Sequence, residues 1–235
     1  MATQNISSDL TDKQRVAMHA ADLIEEDMVV GLGTGSTANY FIEHLARRKQ
    51  EEGLRFSTVA SSVVSTIKAQ QLGLPVLAIE HISQLDLYVD GADEVTPDMM
   101  LLKGRGFDLV KEKLLAKASE QFYVLIENEK CVSYIGENYP IPVEVAPFSW
   151  KMVLRSLQQI GGDGDLRMNN KGDGLAISSH GSLILDITFD ASLDAGEINT
   201  ELNTVPGIVE HGIFYQLATD IFIGNNGVVE HRKSW

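Results

Sequence analysis

From Asp90 to Lys113 the chain reads DGADEVTPDMMLLKGRGFDLVKEK. Asp90, Asp93 and Glu94 fall within one five-residue window, Lys103 follows in a glycine-rich turn, and Glu112 stands just inside a helix-like run. Like charges at this density repel, so their grouping calls for a chemical reason. Carboxylates can hold hydroxyls and move protons, and a lysine can meet developing negative charge. An isolated acidic cluster is usually a solvated turn. Here it directly follows the apolar stretch LDLYV and precedes the apolar MMLLKGRG, so Asp90 and Asp93 are expected at a strand end, drawn toward a cleft. No neighbouring motif completes a magnesium site. From pattern alone Glu112 is a surface glutamate in VKEKLL.

A second segment, GLGTGST (Gly31 to Thr37), lies between a strand-like and a helix-like stretch. Glycines let a backbone approach a ligand closely, and a helix N-terminus offers unpaired N–H groups to an anion. Gly33, Thr34, Gly35, Ser36 and Thr37 are the candidates. Ser36 occupies the last glycine position of G-x-G-x-x-G, and no lysine follows as in a P-loop, so a single phosphate fits better than a dinucleotide or a triphosphate. The competing reading is an ordinary glycine turn with a serine cap. None of the six histidines sits in a motif, and His180 beside Ser178 and Ser179 lacks a nucleophile elbow. Cys131 is expected to pack as a small apolar residue.

Strands and helices alternate around these segments. TDKQRVAMHAADLIEED places Val16, Ala20, Leu23 and Ile24 on one helical face behind a Thr11 cap. MVVGLG, RFSTVAS, PVLAI, LDLYVDGADE and QFYVLIEN follow as strands, separated by helices over TGSTANYFIEHLARRKQ, SVVSTIKAQQLG and FDLVKEKLLAKAS. This predicts an α/β fold, a mostly parallel sheet with helices on both faces and ligands beyond the carboxyl ends of the strands. GTGST and DGADE both follow strands at that end. After about residue 135 the texture changes to a proline-rich extended segment, a helix, turn-linked antiparallel strands and a further helix. The expected organisation is an α/β domain over 1–134 and 207–235, with a smaller α+β domain over 135–206.

With 235 residues, 44% of them hydrophobic, the chain is long enough to bury a real core. A net charge of −14 without a segregated basic patch argues against nucleic-acid binding. One cysteine excludes an internal disulfide and a cysteine-cluster metal site. No apolar run approaches the length of a membrane span, and the N-terminus has no signal-like core. A cytoplasmic protein without membrane partners is expected.

GLGTGST, DGADE, KGRG…KEK and PIPVEV, in this order and at these spacings, resemble the type A ribose-5-phosphate isomerases. The likeness runs from Lys13 to the C-terminal IGNNGVVEH. It implies an aldose–ketose isomerase acting on ribose 5-phosphate and ribulose 5-phosphate, with no cofactor or metal, as a homo-oligomer (dimer or tetramer). The family's general base falls on Glu112, its paired aspartates on Asp90 and Asp93, and its active-site lysine on Lys103. Its phosphate contacts fall on Ser36 and Thr37, with Lys13 and Lys130 adding positive charge and Thr34 near the substrate. Such an isomerisation moves a proton between C2 and C1 through an enediolate. Glu112 would carry that proton, kept basic by burial and neighbouring carboxylates. Lys103 and the N–H groups of Gly104, Arg105 and Gly106 would stabilise the oxyanion. Asp90 would open the sugar ring or move the hydroxyl proton, and Asp93 would bind a hydroxyl.

The chain departs from the family at Phe107 and Asp108, where small residues are usual. Either Asp108 caps the helix carrying Glu112 and Phe107 packs on the second domain, or the pocket is narrowed and retuned to another sugar phosphate. A non-enzymatic sugar-phosphate sensor is the remaining alternative; such sensors carry a DNA-binding segment ahead of the sugar domain.

Overall fold

The fold begins with a locally specified helix. In the computed structural model, which describes residues 10–234, Thr11 caps α1 (Asp12–Asp22) in a full capping box with Gln14. Val16, Ala17, Ala20 and Ala21 form its buried stripe. The chain divides into two compact units. The first runs through Gly91 and adds Leu115–Glu129 and the segment from Ala218; the second comprises Ala92–Leu114 and Lys130–Leu217.

In the first unit, β1 (Val29–Leu32), β2 (Ser57–Ala60), β3 (Leu85–Asp90), β6 (Ser119–Glu127), β12 (Asp220–Asn225) and β13 (Val228–Lys233) form one sheet in the order β13-β12-β6-β3-β1-β2. Every neighbouring pair is parallel except β12 with β13. The parallel strands are short apolar runs, as strands buried on both faces must be. Helices α2 (Ser36–Glu52) and α3 (Val63–Gln71) make the crossovers β1 to β2 and β2 to β3. The chain leaving β1 goes to β2 on one side and the chain leaving β3 goes to β6 on the other, so β1 and β3 flank a topological switch point, where open α/β sheets leave a crevice. Val16, Ala20, Phe41, Leu45, Leu32, Val89 and Phe222 belong to the apolar cluster of this unit.

In the second unit, β7 (Ile141–Val145), β8 (Asp163–Leu166), β9 (Leu183–Thr188) and β10 (Ile208–His211) form an antiparallel sheet in the order β10-β7-β9-β8. Helices α5 (Trp150–Gln159) and α6 (Ala195–Leu202) belong to this unit, and Val153, Leu157, Ile198 and Leu202 share its core with Val143 and Leu185. A separate three-stranded sheet joins β4 (Glu94–Val95), β5 (Leu101–Leu102) and β11 (Ile213–Phe214) in the order β11-β5-β4. Helix α4 (Leu109–Ala118) opens in the second unit, and its residues from Leu115 count with the first.

The boundaries differ from those expected at 134/135 and 206/207. Segments 92–114, 130–134 and 207–217 go with the second unit; β4, β5 and β11 pair with one another, and Leu102 and Ile213 lie in its apolar cluster. The PVLAI strand reduces to one parallel bridge between Thr58 and Val76, followed by a single helical turn at Ile79–His81. Pro75 lacks an N–H and offers Thr58 only its carbonyl, which limits pairing at this edge. The proline-rich PIPVEV stretch is an inner strand, β7, between β9 and β10. The final IFIGNN segment returns to the first sheet beside β6, as its apolar run predicts.

Candidate active site

The glycine loop occupies the switch point of the first sheet. The Gly33 N–H donates to the Val89 carbonyl at 2.8 Å, and the Thr34 N–H donates to Asp90 Oδ1 at 3.0 Å, so the loop after β1 is tied to the end of β3. A Cβ on Gly33 would fall 2.2 Å from the Asp90 carboxyl carbon, so only glycine fits there. Thr34 Oγ1 joins Ser61 and Ser62 in a hydroxyl cluster, and Ser65 Oγ donates to the Gly33 carbonyl at 2.6 Å. Gly35, at φ 111°, opens α2 with no side-chain cap on the helix. The first N–H groups of α2, with Ser36 exposed and Thr37 half-buried, therefore offer donors to an anion.

The three crowded acids separate into different environments. Asp90 is fully buried and accepts from the Thr34 and Gly91 N–H groups and, at 2.6 Å, from the Tyr88 hydroxyl. Glu94 is also fully buried and accepts three backbone N–H groups, from Gly136, Asn138 and Tyr139, at 2.6–3.0 Å. It fixes the turn before β7. Asp93 is half-buried, and its carboxylate receives the Arg105 N–H at 3.4 Å, a long contact. Of the three, Asp93 is the most loosely held.

Lys103 directly follows β5, its N–H donating to the Gly212 carbonyl at 2.9 Å. A Cβ on Gly212 would come within 2.4 Å of the Lys103 carbonyl oxygen, so this close approach needs glycine. Lys103 Nζ stands 3.2 Å from Glu112 Oε2, and both side chains are at least nine-tenths buried. Glu112 is thus not the surface glutamate its local pattern suggests. The group shown in contact with it is the Lys103 ammonium, an attractive pairing of opposite charges. Position 112 lies one turn into α4, where the helix dipole also favours negative charge.

The remaining predicted positions fall in both units. Lys13, on α1, pairs with Glu127 at 3.2 Å. Lys130 Nζ lies 5.7 Å from the centre of the Tyr139 ring, and the Arg105 guanidinium stacks 3.9 Å from the same ring. Gly104, at φ 97°, has a conformation that side chains avoid. Gly106 is exposed beside it. Asp108 stands just before α4, its carbonyl accepting the Glu112 N–H, and its carboxylate accepts from Ser179 Oγ at 2.7 Å. Phe107 is 39% exposed, and its carbonyl accepts the Ser179 N–H at 3.0 Å.

Two groups beside these residues lie outside the predicted positions. Lys113 Nζ donates to Glu210 Oε1 at 2.7 Å and to the His211 carbonyl at 2.6 Å, and lies 5.0 Å from the Phe214 ring. Burial holds Lys113 below the usual lysine range, against the opposing pull of Glu210. Neither ring nitrogen of buried His211 has a hydrogen-bond partner among the described residues. Burial, and then the Lys113 charge, pushes that ring down to about 3. The second group is Arg167 with Asp186, far apart in sequence and brought together by the β8–β9 pairing. Only the register of that hairpin would have disclosed it.

Fold and site define an α/β protein with an uncapped, anion-ready helix start at a sheet switch point and a buried lysine–glutamate pair. The family model for ribose 5-phosphate isomerase A (phosphoriboisomerase A) matches residues 57–227. The chain is 40% identical over 213 residues to ribose-5-phosphate isomerase A of Thermococcus kodakarensis, covering 90% of this chain and 93% of that protein. The Thermosynechococcus vestitus protein of the same name is 39% identical over 213 residues, 90% of each chain. Among solved structures, ribose 5-phosphate isomerase A of Methanocaldococcus jannaschii superposes with a TM-score of 0.89 at 35% identity, covering 95% of this chain and 98% of that one. A D-ribose-5-phosphate isomerase in complex with phospho-erythronic acid gives 0.90 at 35% identity, with the same coverage. The chain belongs to the ribose 5-phosphate isomerase A family.

Proposed function

We propose that this protein interconverts D-ribose 5-phosphate and D-ribulose 5-phosphate by proton transfer through an enediolate. The observation that carries the mechanism is the buried Lys103–Glu112 pair, an acid and a cation held in contact away from water. In the aldose-to-ketose direction Glu112 takes the proton from C2. The C–H electrons form the C1–C2 double bond, and negative charge passes to the carbonyl oxygen on C1. Lys103 and the N–H groups of the Gly104–Gly106 loop stabilise that oxygen. The O2 proton moves to O1, and Glu112 returns its proton to C1, leaving the ketone at C2.

Asp93, the loosely held acid, binds a substrate hydroxyl. Asp90, which accepts from the Thr34 and Gly91 N–H groups and the Tyr88 hydroxyl, opens the ring or relays the hydroxyl proton. The phosphate takes the N–H groups at the start of α2 with Ser36 and Thr37, and Lys13 and Lys130 offset the chain's net charge of −14. Binding energy from this remote group positions the reacting carbons. The phospho-erythronic acid bound in one family structure, a phosphorylated polyhydroxy acid, supports the substrate class.

The reaction is expected to run in EDTA with no added cofactor. In D2O, recovered ribose 5-phosphate should carry deuterium at C2, because the proton on a carboxylate exchanges with solvent. Turnover that requires an added metal, or a C2 proton that never exchanges in either direction, would contradict the enediolate route. A homo-oligomer, dimer or tetramer, in the cytoplasm goes with this reading. Its support is the exposed apolar side chains of Phe148 (87%) and Met152 (66%) on the second unit. Light scattering on purified protein tests it, and a monomer at micromolar concentration would oppose it.

A further inference from the structure

The loop between Lys103 and α4 has its carbonyls fixed one after another. Arg167 Nη1 donates to the carbonyl of Gly104 at 3.1 Å and reaches those of Arg105 and Gly106 at 3.4 Å. The next two carbonyls are also engaged: that of Phe107 by the Ser179 N–H, and that of Asp108 by the Glu112 N–H. Arg167 is itself anchored. Its Nε and Nη2 grip the two oxygens of Asp186 at 2.9 and 2.5 Å. Asp186 lies on β9, an inner strand, paired with Pro142 on one side and Asp165 on the other. The Arg167 backbone is tied to the Ile184 carbonyl and the Ala176 N–H.

A trans peptide points its N–H opposite to its C=O. Drawing the carbonyls of residues 104, 105 and 106 onto one guanidinium therefore turns the N–H groups of Arg105, Gly106 and Phe107 to the other side of the loop. The Arg105 N–H shows where that side faces: its acceptor is Asp93 Oδ2. Successive N–H groups aimed together form an anion-binding concavity, and the residue that leads into this one is Lys103. A guanidinium suits this position because it is always charged and its planar fork serves a carboxylate and several carbonyls at once.

We infer that Arg167, held by Asp186, is a positioning residue for isomerisation. It presents the Arg105–Phe107 N–H groups to the oxyanion that develops on the sugar. This rests on the isomerase reading above and adds to it a residue well outside the 90–113 segment.

The test uses the full-length protein with Arg167→Met, Arg167→Ala, Arg167→Lys and Asp186→Asn, each checked by circular dichroism. Arg167→Met is expected to lower kcat about tenfold to a hundredfold, with KM for ribose 5-phosphate changed less than about threefold. Phospho-erythronate should bind more weakly in proportion, because its carboxylate places charge where the enediolate oxygen would be, while inorganic phosphate affinity should stay unchanged. Arg167→Lys keeps the charge but not the fork and should remain impaired, with Asp186→Asn intermediate. Millimolar guanidinium should restore part of kcat to Arg167→Ala, a rescue that a merely structural role would not give. If Arg167→Met does not fold, Arg167→Lys and the guanidinium rescue decide the matter. An active wild type whose folded Arg167 variants keep normal kcat, or lose phosphate affinity and turnover together without rescue, would overturn this inference alone. A wild type inactive on ribose 5-phosphate would overturn the isomerase reading and the inference with it.

Discussion

Lys103 Nζ stands 3.2 Å from Glu112 Oε2, and neither side chain is more than 10% exposed. Removing one member of a buried ion pair leaves the other charge without its main compensation, an effect of about 3–5 kcal/mol. Lys103→Met should therefore lower stability by about that much in urea unfolding. Adding Glu112→Leu should recover most of the loss, since a buried pair replaced by apolar groups is often close to neutral. Both proteins should be inactive. A double variant no more stable than the single one would mean that the pair is not coupled as the distance implies.

Gly33 and Gly35 are predicted to fail differently. At Gly33 an added methyl meets the Asp90 carboxylate, which is itself held by three donors and has little room to yield. Gly33→Ala should destabilise by about 1–3 kcal/mol and raise KM for the sugar phosphate. At Gly35 the added methyl meets open space, and the penalty is the backbone strain of φ 111°, roughly 1–2 kcal/mol. Thermal melts and KM values of the two variants separate clash from strain.

Glu94 and Asp93 are neighbours with opposite expected phenotypes. Glu94→Gln deprives three backbone N–H groups of their charged acceptor, and a loss of about 2–4 kcal/mol is expected. Its kcat at a temperature where it stays folded should remain close to wild type. Asp93→Asn should change stability by less than about 1 kcal/mol and lower kcat/KM by about tenfold to a hundredfold. Reversed phenotypes would mean that the roles of these two acids have been exchanged.

His211 sets an expected acid limit. Its folded value of about 3 lies below the ordinary 6.5, so unfolding takes up a proton at any pH between the two. The stability tied to the neutral ring is complete above pH 6.5 and is lost as pH falls from there toward 3, at up to about 1.4 kcal/mol per pH unit. The groups facing it are the Lys113 ammonium, which opposes a second positive charge, and Glu210, which pairs with Lys113. Urea midpoints of His211→Gln should fall less steeply than wild type from pH 6.5 to 5, by about 1–2 kcal/mol. Parallel curves would show that His211 is not the titrating group.

The alternating order of strands and helices was legible because each parallel strand is a short apolar run and each early helix shows its apolar face in the sequence. The glycine loop was legible for a local reason: a strand, three spaced glycines and a helix start leave few other geometries. What pattern could not disclose was partnership. Nothing in DGADE distinguishes the acid that caps a turn, Glu94, from the acid that ties a loop, Asp90, because donors to them come from residues outside it, 34, 88, 136, 138 and 139. Glu112 could be singled out only by resemblance, since its burial depends on Lys103 across a turn. The strand at PVLAI failed because Pro75 withholds a donor at the edge of the sheet. The Arg167–Asp186 pair and His211 were invisible because antiparallel register, not spacing, brings their surroundings together.

The most direct measurement is turnover of ribose 5-phosphate by wild type and by Glu112→Gln, with substrate binding followed by calorimetry on the variant. Gln keeps the size of the side chain and an oxygen toward Lys103 but cannot accept the C2 proton. Wild type should equilibrate ribose 5-phosphate with ribulose 5-phosphate, and Glu112→Gln should lose at least about a thousandfold in kcat while its Kd changes little. A folded Glu112→Gln that still isomerises at a rate near wild type would contradict a proton shuttle at this glutamate.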